Sequence, residues 1–173
     1  MREMTDPSAL IEAAYEDYAD AIFRHCYLRV SNRDVGKDLM QDTFIKAYQY
    51  VKKGAEVENL RALLYKIANN LIIDYFRKAK EASLDALQEA GYDPAGSDGK
   101  DFGKALDEAA IVRTLAKLRP EDRELIVMRY IDNLKPRDIA LILNLPANTV
   151  SVRIHRAIKE LEPHLKNPHD ARS

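Results

Sequence analysis

The chain has 173 residues, 46% of them hydrophobic, which suits one ordinary domain or two small ones around packed cores. Its formal net charge is −1, no apolar run approaches the ~18–20 residues of a membrane span, and the first ten residues carry Arg2, Glu3 and Asp6 instead of a signal peptide's apolar stretch; a cytoplasmic protein without membrane insertion is expected. Cys26 is the sole cysteine, which excludes an internal disulfide, and His155, His164 and His169 lie too far along the chain from His25 and Cys26 for a metal-ligand spacing, so neither metal nor cofactor is expected and Cys26 reads as a half-buried helical thiol.

In chain order, residues 9–30 form a helix or close helix pair. Residues 34–51 form a second, with Met40, Phe44, Ala47, Tyr48 and Val51 on one apolar stripe. Residues 52–59 are polar, contain Gly54, and read as a loop. A third helix covers 60–80, where Leu60, Leu63, Leu64, Ile67 and Leu71 repeat at helical spacing. Gly91, Pro94, Gly96, Gly99 and Gly103 then crowd one stretch, which marks a flexible linker. Beyond it, 106–118 is helical, Pro120 opens a helix to about Ile131, and Pro136 opens another to Leu143. Asn144-Leu145-Pro146 breaks the chain before a last helix to about Leu161, with Val150, Ile154, Ala157, Ile158 and Leu161 on one face. No period-2 run suggests a strand. The expected fold is all-α: two small helical domains, 8–80 and 106–166, joined by an acidic linker, 81–105, with a helix-turn-helix in the second.

Charge is distributed unevenly. Residues 61–80 hold five basic groups against one acid, 81–108 hold two against eight, and 109–173 hold twelve against eight. Two basic segments separated by an acidic one fit two DNA-contacting patches on a tether. The linker's negative charge either mimics nucleic acid or keeps the segment soluble; both readings stand.

The last two helices have helix-turn-helix proportions. Ile139, Ala140 and Leu143 can pack against Val150 and Ile154. The opposite face of the last helix then presents Thr149, Ser151, Val152, Arg153, His155, Arg156 and Lys159. Arginine pairs bidentately with guanine, serine and threonine reach bases or phosphates, and valine can touch a thymine methyl. Lys135 and Arg137 are placed to grip phosphate. A solvated amphipathic helix in a small bundle is the plainer alternative.

At these residues the chain resembles a known family. Residues 122–130 (DRELIVMRY), Asp138-Ile139-Ala140, Leu145-Pro146, Thr149-Val150 and His155-Arg156-Ala157 resemble the promoter-reading C-terminal domain of bacterial sigma factors of the extracytoplasmic-function group. Residues 38–44 (DLMQDTF) resemble their polymerase-docking helix, and residues 63–77 (LLYKIANNLIIDYFR) their −10-reading helix. The resemblance covers nearly the whole chain outside linker and tails. Two departures are visible: no Trp stands near Tyr48 or Leu63, and Asn148, Ser151 and Val152 replace the family's usual Gly and Lys-Ser around Thr-Val and before Arg, which bears on the −35 preference.

Asp38, Gln41, Asp42, Ile45 and Gln49 share a second face of the 34–51 helix, suited to a basic partner helix or simply to solvent. The resemblance implies docking on the clamp helices of the RNA polymerase largest subunit through Asp38, Leu39, Gln41, Asp42 and Ile45. In the third helix, Lys66, Asn70, Asp74 and Arg77 share a face, with Lys78 beside them and Asn69 one position round; amide and basic groups suit an unpaired base and its phosphates, although Asn69 and Asn70 also read as a plain surface pair. The resemblance implies that this face reads the −10 element, with the loop 52–59, Asn59 included, and Arg61 near an extruded base, and that the C-terminal domain reads the −35 element and meets the polymerase flap region. Asp74 is expected to orient Lys78. The resemblance further implies a stress or envelope-response regulon and an anti-sigma partner.

Three other readings compete with it: a free-standing helix-turn-helix regulator with an N-terminal sensing or dimerisation domain, an enzyme, and a sigma-mimicking antagonist. No phosphate-cradling glycine loop or nucleophile–base constellation speaks for the enzyme, and the basic recognition face speaks against the antagonist.

Overall fold

The structure, a computed structural model, describes residues 6–86 and 105–166. Within these the chain forms seven α-helices and one π-helical turn: α1 Pro7–Val30, α2 Arg33–Lys52, α3 Leu60–Ala86, α4 Ala105–Ala116, α5 Pro120–Ile126, the π turn Val127–Ile131, α6 Pro136–Leu143 and α7 Ala147–Lys166. The described residues divide into two compact units, one within residues 6–86 and one within residues 105–166. Most of the expected linker, 87–104, lies outside the described residues.

The first unit is a three-helix bundle. Asp6 caps α1 by accepting from Ser8 N at 3.2 Å, with Pro7 in the first turn where its missing N–H costs nothing. Residues 9–30 are therefore part of one helix, not a pair. Ser31 ends it in the left-handed region at φ 56°, and Asn32 Oδ1 accepts from Val35 N at 3.1 Å to start α2. This two-residue connection makes α1 and α2 a helical hairpin. Gly54, at φ 82°, closes the end of α2, its N–H donating to Val51 O at 2.9 Å. Asn59 starts α3: its Oδ1 accepts from Ala62 N at 3.0 Å. The core collects Ile22, Cys26 and Leu28 from α1, Met40, Phe44 and Ala47 from α2, and Leu64, Tyr65, Ala68 and Ile72 from α3. Cys26 is fully buried, deeper than expected. The helix α3 runs six residues past the expected boundary at 80, so 81–86 are helical rather than linker.

In the second unit, Arg119 Nε and Nη2 both donate to Asp122 Oδ2 (3.1 and 2.9 Å), which holds the guanidinium above its ordinary pKa and braces the start of α5. Arg123 Nε donates to Leu115 O at 2.9 Å and ties α5 to α4. The helix expected over 120–131 keeps its length but widens at its end. Asp132 N donates to Val127 O at 2.9 Å, a five-residue reach. Leu125, Ile126, Val127 and Met128 are all buried, four in succession, more than one stripe of a regular helix places inside; the widened turn accompanies that burial. The helix α6 ends at Asn144 in the left-handed region (φ 52°), and Leu145 N donates to Ala140 O at 3.0 Å. Ile139, Ala140 and Ile142 of α6 and Val150, Ile154 and Ala157 of α7 are the buried residues of this packed pair, while Leu143 is only partly buried. The last helix continues past Leu161, through Pro163, to Lys166.

Candidate nucleic-acid interface

The helix-turn-helix presents α7 as the exposed member of the pair. Because Val150, Ile154, Ala157 and Leu161 face inward, the positions between them face outward. Ser151, Val152, His155, Arg156 and Lys159 are exposed, and Thr149 and Arg153 are partly buried at the edges. Asn148, Thr149, Val152, Arg153 and Arg156 line one shallow concavity. The sequence reading missed Asn148 as a member of it. The available signal was its place in the first turn of α7, one helical turn before Val152. Lys135 and Arg137 are exposed at the start of α6. This face combines cations, hydroxyls, an amide and one apolar side chain, the set needed to touch phosphates and base edges of a duplex.

The outer face of α3 is the second candidate. Lys66, Asn70, Arg77 and Lys78 are exposed. Asn69 is not: it is 3% exposed, and its Oδ1 accepts from Arg29 Nη1 at 3.0 Å inside the bundle. Asn69 therefore does not share the exposed face with Asn70, because one step along a helix turns the side chain by about 100°, from solvent to core. Asp74 pairs with Arg77 at 3.2 Å, not with Lys78, and Arg77 also reaches Glu81 at 3.5 Å. Both pairs are solvent-exposed and contribute little to stability. Asn59, although exposed, uses its side-chain oxygen to cap α3, and Arg61 lies over the Tyr65 ring at 5.8 Å.

On α2, Asp38, Gln41, Asp42 and Ile45 are exposed, with Ile45 54% accessible. Leu39, expected to dock with them, is 8% exposed and belongs to the core beneath them. No group of three or more His, Cys, Asp or Glu able to hold a metal occurs among the described residues, and no described helix is long and apolar enough to cross a membrane.

Two helical units, one a helix-turn-helix with an exposed basic face on α7 and the other with exposed amide and cationic groups on α3 and acidic groups on α2, suit a DNA-binding protein. Residues 14–82 match the family Sigma-70 region 2, and residues 108–161 match Sigma-70, region 4. The chain is 34% identical over 166 residues to the ECF RNA polymerase sigma factor SigW of Bacillus subtilis (strain 168), covering 87% of this chain and 86% of that protein. It is 28% identical over 155 residues to the ECF sigma factor SigL of Mycobacterium tuberculosis, covering 89% and 88%. The chain belongs to the extracytoplasmic-function group of RNA polymerase sigma factors. It directs core polymerase to promoters and starts transcription there.

Two solved structures share the fold. The sigma factor RpoE from Bartonella quintana, solved with the anti-sigma factor NepR, superposes with a TM-score of 0.76 at 23% identity, covering 91% of this chain and 98% of that one. CnrH, solved with the cytosolic domain of CnrY, gives 0.70 at 24%, covering 94% and 89%.

Proposed function

We propose that the two units divide the promoter between them. The unit within 8–80 docks on the clamp helices of the polymerase largest subunit through Asp38, Gln41, Asp42 and Ile45. It then captures the unpaired −10 strand on Lys66, Asn70, Arg77 and Lys78, with Asn59 and Arg61 beside the extruded base. Extrusion costs a few kcal/mol of unstacking, which the amide and cationic contacts offset. The unit within 106–166 reads duplex −35 DNA with α7, gripping phosphates through Lys135, Arg137 and Lys159, and meets the polymerase flap. Two modest sites on one tether reach high avidity by effective concentration, so the free factor binds promoters weakly.

The observation that carries this reading is the exposed, basic outer face of α7 in a helix-turn-helix whose inner face is fully apolar. The factor acts without chemistry of its own, in the cytoplasm, where core polymerase works. The RpoE–NepR pairing supports a dedicated anti-sigma protein as a further partner. Run-off transcription with purified core on genomic DNA tests the assignment and yields the promoter sequence. A gel shift with and without core separates it from a free-standing regulator, for which tight binding by the factor alone is the expected result.

A further inference from the structure

Val152 is 58% exposed, a large apolar side chain turned to solvent in the middle of a polar, cationic helix face. It lines the concavity formed with Asn148, Thr149, Arg153 and Arg156. Nothing else in α7 requires it there, since the inner face is already complete with Val150, Ile154, Ala157 and Leu161. An apolar group gains only by meeting another apolar group. The major groove of duplex DNA offers one: the C5-methyl of thymine, or of a methylated cytosine. Arg156 stands one helical turn on, at i+4, exposed and lining the same concavity. Four residues of helix advance about 6 Å, less than two base steps at about 3.4 Å each. Arg156 is suited to the O6 and N7 of guanine.

We infer that Val152 and Arg156 form one specificity-determining pair: Val152 seats a pyrimidine C5-methyl of the −35 element, and Arg156 reads a guanine within two base steps of it. This deepens the assignment of α7 to the −35 element and rests on it. The expected −35 sequence therefore holds a thymine within two base steps of a guanine.

The probe is the strongest promoter recovered by run-off transcription, bound by reconstituted holoenzyme. Each thymine of its −35 region, on either strand, is replaced singly by deoxyuridine, which removes only the methyl. One replacement is expected to weaken binding about fourfold, the worth of one buried methyl-sized group. With Val152→Ser in the holoenzyme, that same replacement is expected to have no effect. Placing cytosine at that position weakens binding, and 5-methylcytosine there regains about the same fourfold; equal binding of the two cytosines argues against methyl recognition. A −35 region with no thymine within two steps of a guanine, or a deoxyuridine effect that persists unchanged in Val152→Ser, overturns the proposal. Scrambling the whole −35 block separates the layers: if that leaves transcription unchanged, the −35 assignment of α7 fails, whereas a large loss without a Val152-dependent methyl effect removes only the pair.

Discussion

Arg29 Nη1 donates to Asn69 Oδ1 at 3.0 Å, a buried hydrogen bond joining α1 to α3 across forty positions of sequence. It accompanies the packing of Leu64, Tyr65, Ala68 and Ile72, which turns Asn70 and Lys66 outward and Asn69 inward. Asn69→Leu removes an acceptor from a buried guanidinium and is expected to destabilise the first unit by about 1–3 kcal/mol. Asn69→Asp, which keeps the acceptor, is expected to cost less. Urea unfolding measures both. Asn70→Ala is expected to change stability by less than about 0.5 kcal/mol while lowering −10-dependent transcription.

Gly36 sets how closely α1 and α2 approach. A Cβ there would stand 3.1 Å from both N and Cα of Tyr27, backbone that cannot swing aside. Alanine gains about 1 kcal/mol of helix propensity over glycine, and the forced separation of the two helices outweighs it. Gly36→Ala is expected to lower thermal stability, and Gly36→Val to lower it further. A rise in Tm for Gly36→Ala would show that the hairpin yields.

The acidic face of α2 gives a partner-specific expectation. Asp42 is exposed, so Asp42→Arg leaves the fold intact and weakens co-purification with core polymerase. Leu39→Ala is expected to do the reverse in kind: it opens a cavity beneath the face and costs about 2–5 kcal/mol of stability. Circular dichroism melts together with core pull-down distinguish the two behaviours.

On α7, removing Arg156 is expected to cost about 1–3 kcal/mol of −35-dependent binding and to relax preference at one position. Removing Lys159 is expected to weaken binding evenly across sequences and to reduce the salt slope by about one. Holoenzyme affinity measured at several salt concentrations on intact and altered −35 elements reads both. Equal salt slopes for wild type and Lys159→Ala would take Lys159 off the phosphate backbone.

Much of this molecule was legible in the one-dimensional chain because the relevant signals are local. Pro120 and Pro136 stand in first turns, Asn144-Leu145-Pro146 breaks the helix-turn-helix, and the spacing of Val150, Ile154, Ala157 and Leu161 already separates the inner face of α7 from its outer one. Backbone hydrogen bonds and capping act within a few residues, so periodicity and punctuation suffice to place them.

Only the tertiary structure decided which of two neighbours at a helix edge goes inside. Asn69 and Asn70 are identical neighbours, and nothing local tells one from the other; Arg29 from another helix claims Asn69, while Leu39, at the edge of a polar face, is taken into the bundle core. The partner of Asp74 and the widened turn at Val127–Ile131 were likewise beyond reach of the sequence. Burial and side-chain pairing depend on which remote residues fill the space beside a helix, and helical periodicity resolves orientation only to about a quarter turn, which is the angle on which these residues' roles depend.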